Sequence, residues 1–413
     1  MTLFGSPKRK ASALGLAAAL ALSACGGGSG GDTSDGGGGD KGTFNFVAAL
    51  PMSGPLSAIG GQPYKTAFET TVEIINKDGG IDGKKVKLTI IDTAGDATKA
   101  VANVQAYLAD NDKPDAMFSG YSFEALPLAP LLTKQKIPLV SSSVTPLLNN
   151  PDKFPYTFQQ SVPIRTIIDV LSDHIVEKGH KKVGYIAVDD ESGHVSVDAF
   201  KKVASAKGLT VTGAFVKADA VDATSTLEKL KASKPDVVVV SAVGPAAAAI
   251  LKSRTEIGWD VPTIGEGSAF AASDLGKISS KEYWGNVEVQ MPNWTVKGSD
   301  MLSVPAFDTY LKDYKAKSAI TTGMGGLVCL YQDLLTIKAG FEATDQDDAE
   351  GFAKGLEGIG ADTIPDSIKD LWVGPKGLGY GPDNHDNAEW GADDFTFVPA
   401  QALVDGMATA DGS

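Results

Sequence analysis

Cysteine is nearly absent from this chain. There are two in 413 residues, Cys25 and Cys329, and Cys25 sits in an N-terminal leader, so the mature chain has no disulfide to lean on. Histidine is also scarce. His174, His180, His194 and His385 are scattered, no two of them four residues apart, and no recognisable zinc or other transition-metal site is expected. No Cys-x-x-Cys pair and no Walker loop occurs, so neither metal nor cofactor is expected. The stretch Gly120-Tyr-Ser-Phe-Glu124 opens like the G-x-S-x-G nucleophile elbow but lacks its closing glycine, and no histidine is marked as its partner. An enzyme is therefore not expected. A formal net charge of −14 argues against nucleic acid as a partner and suits a solvated extracytoplasmic protein. Asp189, Asp190 and Glu191 follow a strand and read as a solvated turn rather than an acid–base pair.

The leader has its own logic. Lys8-Arg9-Lys10 is a basic start, and the apolar run Ala11 to Ala21 is too short to span a bilayer, which takes about 20 residues. Leu22-Ser23-Ala24-Cys25 then resembles the lipobox of bacterial lipoproteins, which implies lipidation of Cys25 and residence at the outer face of the cell membrane. Residues 1–25 are thus expected to be a signal peptide. Residues 26–42, almost all Gly, Ser, Asp and Thr, form a flexible tether.

The remaining chain is long enough for two lobes. Phe44 to Leu50 reads as a buried strand, Pro51 to Gly61 as a long loop, and Tyr64, Ala67, Phe68, Thr71, Val72 and Ile75 as one helix face ending at Gly79-Gly80. Lys84 to Asp92 alternates into a strand, Asp96 caps a helix running to about Leu108, and Ala116 to Ser119 is a third strand. This β-α-β-α-β order implies a parallel sheet covered by helices. The second half repeats it with strands at Lys182 to Val188, Leu209 to Val216 and Val237 to Val240, and a helix from Val195 to Ala206. Asp222-Ala-Thr224 matches Asp96-Ala-Thr98, and Lys234-Pro-Asp236 matches Lys113-Pro-Asp115, at offsets of 126 and 121 residues.

Late helices at Val304 to Lys317, Gly323 to Ala339 and Asp347 to Leu356, followed by a last strand at Phe395 to Val398, imply that the chain crosses between the lobes repeatedly. Hinges are expected near Ser161-Val-Pro163, Val289-Gln-Met-Pro292 and His385. The resulting division places lobe 1 at 43–161 and 291–385, lobe 2 at 162–290 and 386–404, and a tail at 405–413.

The hydroxyl-rich run Ser141-Ser-Ser-Val-Thr145 follows the apolar Ile137-Pro-Leu-Val140 and offers N–H and hydroxyl groups at a strand end. It serves equally as a capping turn. Ser119 to Ser122, Ser241 to Gly244 and Gly265-Glu266-Gly267 are further strand ends that meet at one cleft if the lobes face each other.

From Phe44 to about Val398 the chain resembles the type I periplasmic solute-binding proteins of branched-chain amino acid (leucine, isoleucine, valine) ABC importers. The resemblance is carried by Pro51-Met-Ser-Gly-Pro55, by Ile75-Asn-Lys-Asp-Gly-Gly-Ile81-Asp-Gly83 and by Ser141 to Pro146. It implies an α/β fold of two Rossmann-like lobes with parallel sheets, three hinge crossovers and a ligand cleft between the lobes. By residue, it implies that Ser122, the Ser143 backbone and the Thr145 hydroxyl hold a ligand carboxylate, while Glu266 takes the ammonium. Where the family carries pocket aromatics, Ile59, Ser192 and Val243 stand here. The serine run of its first loop is replaced by Ser122-Phe123-Glu124, and the cystine common in its first lobe is missing. Phe123 either stacks on ligand or fills the lobe, and Glu124 caps a helix or enters the cleft. The function implied is capture of an amino acid or related amide by a monomeric, membrane-anchored protein that hands it to ABC permease subunits. A ligand-sensing module reporting to a membrane receptor or kinase is the alternative.

Overall fold

Alternate residues of the first strand feed two different cores. Phe44, Phe46, Ala48 and Leu50 of β1 (Thr43–Leu50) enter one apolar cluster, and Val47 and Ala49 enter another on the opposite face. That is the signature of a strand covered on both sides, since side chains alternate with period two. The computed structural model describes residues 42–267, 274–298, 304–375 and 377–412. The expected signal peptide with Cys25, and the expected tether up to residue 41, lie outside them.

In lobe 1, α1 (Gln62–Lys77) leads to β2 (Lys85–Asp92), α2 (Ala97–Asp110), β3 (Ala116–Ser119), α3 (Ser122–Gln135), β4 (Leu139–Ser141) and β5 (Thr157–Gln159). The strands form an all-parallel sheet in the order β2-β1-β3-β4-β5. Asp96 caps α2 as expected, accepting from the Lys99 N–H at 2.8 Å. The Asn-x-x-Gly-Gly-Ile-x-Gly segment proves to be a structural clamp. Asn76 Oδ1 accepts from the Val86 N–H (2.7 Å), its Nδ2 donates to the Val86 carbonyl (2.9 Å), and Gly80 at φ +87° passes so close to the Lys84 carbonyl that a Cβ would lie 2.0 Å from it.

Lobe 2 runs through α4 (Ile164–Glu177), β6 (Lys182–Val188), α5 (Glu191–Ala206), β7 (Thr210–Val216), α6 (Thr224–Ala232), β8 (Val237–Ser241), α7 (Gly244–Glu256), β9 (Thr263–Gly265), α8 (Leu275–Ile278) and β10 (Val287–Pro292). The chain returns to lobe 1 for α9 (Pro305–Lys317), α10 (Met324–Glu342) and α11 (Ala349–Glu357), then ends its regular structure with β11 (Phe395–Pro399) in the second sheet. That sheet has the order β11-β10-β9-β8-β6-β7, parallel except for the antiparallel β10–β11 pair.

One detail differs from the sequence reading. Ser57–Gly61 is a π-helical turn running into α1, not open loop. Gly60 and Gly61 permit it, because a Cβ on them would meet the Tyr121 hydroxyl at 2.3 Å and the Pro51 carbonyl at 2.7 Å. Val289 to Pro292 close β10, paired throughout with β11 and at Val289 also with β9, and the chain leaves the sheet at Asn293, beside the expected hinge. The acidic run also gains a role: Asp190 caps α5 through the Gly193 N–H (2.7 Å), and Asp189 pairs with His194 (2.9 Å).

The crossovers converge on Gln160. Its carbonyl accepts from Trp390 Nε1 (3.3 Å), and its Oε1 accepts from Tyr380 (3.0 Å), Thr336 (3.2 Å) and Asn387 (3.2 Å). A buried amide bonded on every side makes the hinge base stiff.

Candidate ligand-binding cleft

Because the strands are parallel, their carboxyl ends share one edge, and the strand order reverses at β1 and β3 in the first sheet and at β6 and β8 in the second. On lobe 1 this edge carries the 51–61 segment, Tyr121-Ser122 and the 141–146 loop. Ser122 starts α3, and its Oγ accepts from the Val144 N–H at 3.4 Å, joining two site loops. Thr145 is buried, and its Oγ1 accepts from the Leu147 N–H (3.4 Å), leaving the hydroxyl hydrogen to donate. Ser143 is buried too, with its N–H on Ser141 Oγ (3.1 Å) and its hydroxyl on Gln159 Oε1. In this state, then, the Ser143 backbone donor faces its own loop.

Lobe 2 contributes Glu266 at the end of β9. It is fully buried, its N–H donates to the Val240 carbonyl (2.9 Å), and its Oε2 accepts from Ser241 Oγ (3.0 Å). Tyr185 of β6 lies beside it. Burial first, then the Glu266 charge, pushes the Tyr185 phenol well above the ordinary tyrosine range. Ser192 sits in the first turn of α5 with its Oγ buried and without a hydrogen-bond partner, and Val243 is the extended residue before α7.

The two edges approach each other. A Cβ on Gly244 would be 3.6 Å from both Ile59 Cδ1 and Leu56 Cδ2, which puts Ile59 against the Val243–Gly244 end of lobe 2. Val144 packs against the lobe 2 core formed by α4, β6, α5 and β8, and α3 touches α5. The structure thus brings Ser122, Ser143, Thr145 and Ile59 to one wall and Glu266, Val243 and Ser192 to the other lobe's strand ends.

Phe123 is stacked at 5.6 Å on Tyr121, which in turn lies 6.3 Å from Tyr64 with the rings 5° from parallel. This aromatic row was not legible in sequence, because Tyr64 lies on a helix nearly sixty residues from Tyr121. Glu124 turns inward and is fully buried. Its Oε1 accepts from Thr93 Oγ1 (2.6 Å), and burial, opposed by that bond and aided by Asp92 and Asp96, raises its pKa to about 7. Among the described residues no group of three His, Cys, Asp or Glu is arranged to hold a metal ion, and no helix is long and apolar enough to cross a membrane.

Two lobes of this topology agree with the family comparison. The model for the periplasmic binding proteins matches residues 45–385. The chain belongs to this family. Within it, the chain is 28% identical over 330 residues to the Leu/Ile/Val-binding protein homolog 3 of Brucella melitensis, covering 76% of this chain and 82% of that one. It is 25% identical over 347 residues to the Leu/Ile/Val-binding protein BraC3 of Rhizobium johnstonii, covering 81% and 88%. An extracellular ligand-binding receptor from Rhodopseudomonas palustris has the same fold at TM-score 0.72 and 21% identity, over 89% of this chain and 99% of that one. The branched-chain amino acid transporter protein LivJ of Streptococcus pneumoniae, solved with isoleucine, gives 0.64 at 21% identity, over 76% and 88%. As a periplasmic binding protein, this chain is of a solute-binding rather than an enzymatic type, and its family places it outside the cytoplasm.

Proposed function

We propose that this protein captures an amino acid, or a related small amide, between its lobes and presents it to the permease of an ABC importer, anchored to the membrane through a lipid on Cys25. The observation that carries the reading is Glu266: a carboxylate fully buried at the lobe 2 strand ends, with Ser241 on one oxygen, while hydroxyl donors gather on the facing lobe. A buried carboxylate is complementary to an ammonium, and hydroxyl and N–H donors are complementary to a carboxylate. A zwitterion satisfies both only when the lobes are closed, so binding shifts the open–closed population. The chain acts as a monomer and leaves its ligand chemically unchanged. A dissociation constant near micromolar, about −8 kcal/mol, is sufficient for capture.

The test is a thermal-shift screen over amino acids, amides, ureas and small aromatic acids, followed by calorimetry on the best ligand, since a compound that binds only the native state raises the melting temperature. If no compound with both an ammonium (or amide) and a carboxylate shifts the transition, the reading fails. Retention of radiolabelled palmitate by wild type and its loss in Cys25→Ser tests the anchor.

A further inference from the structure

Three consecutive serines, Ser141 to Ser143, run from the last residue of β4 into the following loop, and each hydroxyl is committed to a different anchor. Ser141 Oγ donates to the Ser119 carbonyl (2.6 Å), inside the first sheet. Ser142 Oγ donates to Asp333 Oδ2 on α10, and the Ser142 carbonyl accepts from Ser161 Oγ (2.8 Å) in the first crossover. Ser143 Oγ donates to Gln159 Oε1, whose Nε2 donates to Asp386 Oδ1 in the third crossover. Asn149 Nδ2 closes on the other oxygen of Asp386 at 3.0 Å. One short loop therefore joins the candidate site to two of the three segments that link the lobes.

Asp333 is the unusual member. It is fully buried on a helix whose neighbours are mostly apolar, one oxygen has no hydrogen-bond partner, and among the described residues it has no cationic partner. The ionisable groups around it are Tyr64 of α1, Cys329 one turn earlier on α10, and Tyr380. Burial, opposed by the Ser142 hydrogen bond, pushes its carboxyl well above the ordinary carboxylate range and so favours the protonated form. A carboxyl costs more here than an alanine would, and the contact it provides is the one to Ser142.

The Ser142 carbonyl and the Ser143 N–H belong to one planar peptide unit. Ser161 holds one end of that plane, and the other end is the backbone donor that now faces Ser141 Oγ at 3.1 Å. Bending beside the Gln160 block, at 161–163, turns Ser161, so the plane either follows or loses its bond.

We propose that this serine run is a relay coupling lobe rotation to the direction of the Ser143 N–H, with Asp333 and Asp386 as its positioning residues. The proposal rests on the cleft reading above only for its purpose, because the coupling itself exists without ligand. In this structure the lobes already touch, Gly244 against Ile59 and Leu56, with the Ser143 N–H on Ser141 Oγ; rotation away from this state turns the Ser143 N–H, so the lobe angle sets the direction of that donor.

Hydrogen exchange on the full-length protein without ligand tests this at peptide resolution. Ser142→Ala and Asp333→Ala should accelerate exchange about tenfold in both 142–147 and 160–166, equivalent to about 1.4 kcal/mol of local opening. Asp333→Asn, whose carboxamide oxygen still accepts from Ser142, should stay within about threefold of wild type, whereas Asp333→Leu, which fills the space without an acceptor, should behave like Asp333→Ala; rescue by Leu as well as Asn would mean that Asp333 only fills space and would overturn its positioning role. Thr145→Ala, in the same loop but outside the relay, should affect 142–147 alone. Acceleration confined to 142–147 in the Ser142 and Asp333 variants overturns the relay. If Asp333→Ala does not fold, Ser142→Ala decides alone. Because no ligand is added, a failure of the amino-acid reading is seen separately, in the thermal screen.

Discussion

Trp294 stacks on Trp390 with ring centroids 4.3 Å apart and planes 25° from parallel, which fastens the second crossover to the third. Since Trp390 Nε1 also donates to the Gln160 carbonyl at 3.3 Å, the two indoles and Gln160 bind all three crossing segments into one block. Opening of the lobes must therefore bend the segments beside this block rather than separate them.

Removing the stack should cost more than removing its hydrogen bond. Trp294→Ala is expected to lower the unfolding free energy by about 3–5 kcal/mol, as large-to-small changes of buried aromatics do. Trp390→Phe keeps the ring contact and loses the bond, so about 1–2 kcal/mol is expected. Urea denaturation of both variants checks the ranking.

For an amino-acid ligand, Glu266→Ala and Thr145→Ala should each weaken binding by about 2–4 kcal/mol, because each leaves a buried charge short of a partner. Calorimetry that finds both variants unchanged removes the zwitterion model.

Glu124 predicts a dependence on pH. Its ordinary value of 4.5 is raised to about 7 in the folded chain, chiefly by burial. Folding thus favours the protonated form, and the associated stability is full below pH 4.5 and lost as pH rises through about 7. Glu124→Gln removes that loss, so between pH 4.5 and 8 its unfolding free energy should fall by less than wild type's, the difference being on the order of 3 kcal/mol. Parallel pH-dependent slopes for the two proteins would show that Glu124 titrates alike in the folded and unfolded chains, and would overturn the raised value.

Gly60→Ala sets a methyl against the Tyr121 hydroxyl, 2.3 Å from the ideal Cβ position. Overpacking of this kind costs about 1–3 kcal/mol. Tyr121→Phe in the same chain should recover part of it, and a double-mutant cycle by thermal unfolding measures the coupling.

The fold was largely legible in the letters. β1, α1, β2, α2, β6, β8 and α10 follow from apolar periodicity, from the Asp96 cap and from the Gly79-Gly80 stop, all signals of local origin. The repeated Asp-Ala-Thr and Lys-Pro-Asp triplets precede corresponding elements in both sheets, though not with the same detail. Asp96 caps its helix, whereas Asp222 binds the Thr224 hydroxyl (2.9 Å) and N–H (3.2 Å) in front of α6. The short β5 and the π turn at Ser57–Gly61 escaped, since three residues make no period and a π turn depends on what Gly60 and Gly61 touch.

The sequence by itself determined the alternation of strands and helices, the doubling into two lobes and the placement of hydroxyl residues at strand ends, because these depend on neighbours along the chain. Only the tertiary structure decided where each serine of Ser141–Ser143 spends its hydrogen bond, that Glu124 and Asp333 are buried acids, and that Trp294 meets Trp390. Those outcomes depend on groups up to two hundred residues away, brought together by sheet order and lobe crossing, and no local pattern encodes which partner will be there.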